Sequence, residues 1–192
     1  MNSLLEKIYA CSLCSAVLPN VPKPIVSVSS ESKILIIGQA PGQKAHNSGL
    51  PWDDASGEAL RRWLNVDKNQ FYDTSIFGIM PMGFCYPGRG KSGDLPPRRE
   101  CSQQWHEQMR DMMPNVRLTL LIGKYAQDHY LKGRSYSTLT DNVFHYREFL
   151  PEFLPLVHPS PRNGIWQRRN PLFEEEVIPE LREIVRSAIF SH

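Results

Sequence analysis

Apolar residues fall along this chain in short runs separated by longer stretches of mixed character, and the two kinds of segment have different periods. The runs at residues 33–37, 74–80, 118–122 and 154–157 are almost continuously apolar. That pattern predicts strands buried on both faces, as in a covered parallel sheet. The stretches at 3–9, 57–64, 97–113, 124–131 and 171–189 carry apolar residues at helical spacing with charges between them, which predicts amphipathic helices. Buried strands alternating with such helices predict an α/β fold. Pro97 suits a first helical turn and Pro114 predicts that helix's end. Asn170 is a candidate N-cap ahead of Pro171, and Pro179 predicts a kink or a break in the last helix.

The 192 residues suit one domain over 1–192, with no internal repeat and no composition shift. Hydrophobic content of 41% and charged content of 22% are ordinary for a globular protein. No apolar run is long enough to span a membrane, and the first ten residues contain Glu6 and Lys7 instead of a signal-peptide core. The expectation is a cytoplasmic monomer without a membrane anchor. A net charge of +2 argues for no partner by itself, but charge is locally segregated. Arg89, Lys91, Arg98 and Arg99 face only Asp94 in sequence, and Arg162, Arg168 and Arg169 have no acid among them. Acids gather instead at Glu174, Glu175, Glu176, Glu180 and Glu183.

Two loops follow predicted strands and carry the candidate chemistry. Gly38-Gln39-Ala40-Pro41-Gly42 follows Ile34-Leu35-Ile36-Ile37, and His158-Pro159-Ser160-Pro161-Arg162-Asn163 follows Leu154-Pro155-Leu156-Val157. Parallel strands would deliver both loops to one carboxyl edge, where α/β folds bind ligands. This pair of loops resembles the two signature motifs of the uracil-DNA glycosylase superfamily. The resemblance implies a three-layer αβα domain with a central four-stranded parallel sheet, and DNA as partner. It further implies a monofunctional enzyme that hydrolyses the N-glycosidic bond of uracil or another deaminated base flipped out of the helix. Under it, Trp52 stacks on the flipped base, and His158 donates a hydrogen bond to a carbonyl oxygen of the leaving base. Gly38, Ala40, Pro41, Gly42 and Ser160 shape the substrate pocket, while Arg162 and Asn163 enter the minor groove.

Four cysteines, Cys11, Cys14, Cys85 and Cys101, are the metal-ligand candidates. A zinc ribbon would place its second pair close together, whereas here a basic loop splits it; zinc stays as the alternative. The order and gaps of the four resemble those of family 4 uracil-DNA glycosylases, which implies a 4Fe-4S cluster with a structural role. The chain also departs from the family. Gln39 and Ala40 stand where members carry a catalytic acid, so Gln39 can orient water but cannot take its proton. Asp53 and Asp54 are the nearest replacements, with Asp53 the catalytic candidate. Pro81 stands about where uracil-specific members carry a base-reading Asn, which leaves hypoxanthine or xanthine open as substrates. The alternative is a catalytically silent protein on the same fold that binds nucleic acid or a base. A metal-dependent hydrolase built on His158 and the cysteines is a weaker third reading.

Overall fold

The computed structural model describes residues 1–190. Its strands are β1 (Ile34–Ile37), β2 (Phe77–Ile79), β3 (Arg89–Gly90), β4 (Gly93–Asp94), β5 (Leu118–Ile122) and β6 (Phe153–Leu156). Four of them form one parallel sheet in the order β2-β1-β5-β6, with β1 central. Each continuous apolar run is explained by burial on both faces. Ile34, Ile36, Leu120, Ile122, Leu154 and Leu156 enter one apolar cluster, while Leu35, Ile37, Leu121 and Phe153 enter the other. Pro155 is tolerated because β6 is an edge strand that pairs only with β5.

The helices are α1 (Asn2–Tyr9), α2 (Gln43–Ser48), α3 (Ala55–Leu64), α4 (Lys68–Tyr72), α5 (Arg99–Cys101), α6 (Glu107–Asp111), α7 (Lys124–Tyr130), α8 (Leu139–Phe144), α9 (Gly164–Arg169) and α10 (Ile178–Phe190). Leu60, Trp63 and Leu64 of α3 and Leu181 and Val185 of α10 cover the first face. Ile8 of α1, Met109 of α6 and Ala126 of α7 cover the second, so the domain has three layers, αβα. Burying each such aliphatic side chain stabilises the fold by about 1.5–3 kcal/mol. No helix among the described residues is long and apolar enough to cross a membrane.

Several local expectations are corrected. The helix expected over 97–113 begins at Arg99 and widens into a π-type turn over Ser102–His106, so Pro97 precedes it. Beside Pro179 the helix changes type, from a π-type turn over Phe173–Val177 to α10 at Ile178. The proline thus sits in the first turn of α10, where its missing N–H costs least. The last helical stretch starts without a side-chain cap, and Asn170 instead donates its side-chain amide to the Trp166 carbonyl at 2.8 Å. The hairpin β3-β4 and the short helices α2, α4, α8 and α9 lie in segments without a clear apolar period.

Candidate active site

Parallel register places the carboxyl ends of all four sheet strands at one edge. From β1 the chain moves outward to β2, then returns across to β5, so the connections diverge at β1 and β5. A crevice forms where connections diverge in this way. Here it is a cavity of about 600 Å³ lined by Gly38, Gln39, Ala40, Pro41 and Gly42 from the first loop and by His158, Ser160, Arg162 and Asn163 from the second. Trp52, Asp54, Pro81, Arg89 and Asp94 are among its other lining residues.

Trp52 is held there under backbone strain. Its φ of 58° lies in the left-handed region, which a bulky residue occupies at a cost of about 1–3 kcal/mol. Neighbouring groups pin the loop: Arg61 Nη1 donates to the Trp52 carbonyl at 3.3 Å and the Tyr72 hydroxyl to the Pro51 carbonyl at 2.8 Å. Two glycines make room. A Cβ on Gly38 would lie 2.8 Å from the indole ring, and one on Gly57 would lie 1.8 Å from the Trp52 carbonyl oxygen. Gly57→Ala is therefore expected to destabilise the protein by roughly 1–3 kcal/mol through backbone displacement. Urea unfolding checks this, and an unchanged midpoint would refute the role assigned to Gly57.

The imidazole of His158 lies beside that indole, with ring centroids 5.5 Å apart. Burial pulls its pKa below the usual histidine value, against a smaller opposing pull from Asp54 and Asp94. The ring is accordingly uncharged at neutral pH and can donate one N–H. Asn163 donates its side-chain amide to the His158 carbonyl at 2.7 Å, so it braces the loop that carries the histidine.

The hairpin ties the two loops together, and nothing in its sequence period announced this. Gln39 Nε2 donates to the Leu95 carbonyl at 3.2 Å, and Arg162 Nη1 donates to the Ser92 carbonyl at 3.0 Å. Asp53 is not brought to the cavity: it faces Lys68, 3.7 Å away. Its neighbour Asp54 lines the cavity and caps α3, accepting the Gly57 N–H at 2.9 Å through one oxygen. Pro81 lines the cavity, and its carbonyl accepts from His106 Nε2 at 3.1 Å. The basic loop is split by the fold. Arg89 reaches the cavity, but Arg98 pairs with Glu100 beside the cysteines.

Cys11, Cys14, Cys85 and Cys101 line one small void with Phe84, Arg98 and Trp105. All four are free thiols. Burial raises the pKa of Cys85 to about 11 and of Cys101 to about 12, and the neighbouring cysteines push both further in the same direction. No group of three or more His, Cys, Asp or Glu side chains among the described residues is arranged to hold a single metal ion.

Comparison with known proteins shows which family the chain resembles. The sequence model of the "Uracil DNA glycosylase superfamily" matches residues 26–182. A type-4 uracil-DNA glycosylase of Sulfurisphaera tokodaii is 21% identical over 177 residues, covering 83% of this chain and 74% of the relative. A solution structure from Methanosarcina acetivorans, provisionally described as a uracil DNA glycosylase, aligns with a TM-score of 0.47 at 15% identity. That alignment covers 83% of this chain and 94% of the other.

Proposed function

The chain belongs to the uracil DNA glycosylase superfamily, and from that premise we propose that it hydrolyses the N-glycosidic bond of a deaminated base flipped out of DNA. The observation that carries this reading is the single cavity shared by Trp52 and His158 at the carboxyl edge of the sheet. The base stacks on the indole. The neutral His158 ring donates its N–H to the carbonyl oxygen that gains negative charge as the bond to the sugar breaks. Arg89 and Arg162 at the cavity supply positive charge for the DNA backbone.

Water positioning falls to Asp54 instead of Asp53. One Asp54 oxygen is fixed by the Gly57 N–H, which leaves the second to accept from a water facing the sugar. Asp54→Asn tests this cleanly, because asparagine caps a helix as well as aspartate does. The expected result is slower single-turnover cleavage with unchanged urea stability; equal cleavage rates would remove Asp54 from the mechanism. Gln39 has its Nε2 bonded to the Leu95 carbonyl, which braces the hairpin, and keeps its Oε1 as an acceptor.

Base choice is broader than strict uracil in this reading. Pro81 offers the cavity no hydrogen-bonding side chain, and its carbonyl is occupied by His106. The deciding experiment is single-turnover cleavage of labelled oligonucleotides carrying uracil, hypoxanthine or xanthine, each single- and double-stranded. Cleavage of one of them names the base. Retained DNA binding without any cleavage would leave the alternative, a recognition protein that lacks catalysis.

The four cysteines fit a 4Fe-4S cluster better than one zinc ion. A cubane holds its thiolates at separate corners, whatever their separation along the chain, and all four cysteines line one void. The Phe84 N–H donates to Cys101 Sγ at 3.4 Å, as thiolate ligands commonly require. Such a cluster would tie the segment after α1 to the loop after β2 and to α5, a structural link between the N-terminal residues and the wall of the cavity.

A further inference from the structure

Two of the residues that line the void with the four cysteines each carry a buried polar atom with no partner. Trp105 is only 9% exposed, and its indole Nε1 is sealed from solvent with no acceptor. Arg98 Nε is in the same condition. Both side chains line the void. Leaving a buried donor unsatisfied costs about 1–3 kcal/mol, so two at one place point to an acceptor that the polypeptide itself does not provide. The rest of the arginine is engaged: its Nη2 pairs with Glu100, and its positive charge acts on the nearby Cys14 thiol.

We propose that Trp105 Nε1 and Arg98 Nε donate hydrogen bonds to sulfur atoms of the cluster, and that the guanidinium balances part of its negative charge. The proposal rests on the cluster reading above. Each N–H drawn toward sulfur withdraws electron density and stabilises the reduced, more negative cluster, so both donors raise its reduction potential. Glu100, paired with the arginine, moderates the effect. The two residues are positioning groups for the cofactor and take no part in bond cleavage.

The test uses the full chain purified without oxygen. Trp105→Phe retains most of the ring and deletes the donor; Arg98→Gln removes the charge. Expected are brown wild-type protein with iron and sulfide in equal amounts, a lower midpoint potential in each variant, and cluster loss to a chelator made ~10–100-fold easier. A cluster-loaded Trp105→Phe protein with unchanged potential and unchanged retention overturns the proposal. Should a variant fail to load, protein carrying indole-¹⁵N tryptophan decides the matter by pulsed EPR of the reduced cluster, since Trp105 is the tryptophan that lines the void. Coupling to an indole nitrogen supports the bond, and its absence overturns it. Wild-type protein without iron would instead defeat the cluster reading itself, a distinguishable result.

Discussion

His158→Ala is expected to slow single-turnover cleavage by about 10²–10³-fold, the usual consequence of deleting one donor to a developing anion. The argument rests on where the ring is held. His158 follows β6 at the edge where the strands end, its carbonyl is clamped by Asn163, and its imidazole is set against Trp52. Burial keeps the ring neutral, so it can stabilise negative charge only through a directed N–H. A substitution that restores a donor should recover part of the loss, which makes His158→Gln the informative companion. Equal activity in wild-type and alanine proteins would move the electrophile elsewhere. Unchanged DNA affinity alongside the lost rate would show that the interaction belongs to the transition state.

The second large effect concerns acid. His106 is 2% exposed, stacks on Phe84, and is bonded at Nε2 to the Pro81 carbonyl and at Nδ1 to the Tyr130 hydroxyl, 2.7 Å away. A carbonyl can only accept, so Nε2 carries the proton and Nδ1 accepts from Tyr130. Burial lowers the folded pKa to about 4, and protonation would deprive Tyr130 of its acceptor. The folded state therefore binds fewer protons than the unfolded chain between 6.5 and about 4, and stability falls as pH falls through that window. The gap corresponds to ~3 kcal/mol lost by pH 4. Urea unfolding at pH 7, 5.5 and 4 measures it. His106→Gln should start less stable and lose much less on acidification; the same drop in both proteins would assign the acid limb to other groups. Because Pro81 lines the cavity, acid should also loosen the substrate pocket before the sheet itself fails.

The amino-acid sequence by itself determined the layered architecture and the composition of the two loops. Four continuous apolar runs alternating with amphipathic stretches point to strands covered on both faces by helices. Parallel strands in turn send Gly38–Gly42 and His158–Asn163 to one edge, and the cavity there contains both loops. Tertiary structure alone decided the remainder. Asp53 and Asp54 are adjacent and chemically identical, yet α3 begins at Ala55 and takes Asp54 as its cap, leaving Asp53 to face Lys68. Arg98 belongs in sequence to a basic loop, but the turn into α5 sends it to the cysteines. The strain at Trp52 is equally invisible in sequence, since φ there is set by Gly57, five residues on, and by Arg61 and Tyr72. Periodicity reports which face of an element is buried, averaged over many residues. Which neighbouring carboxylate or guanidinium turns inward depends on single hydrogen bonds and close approaches between segments distant along the chain.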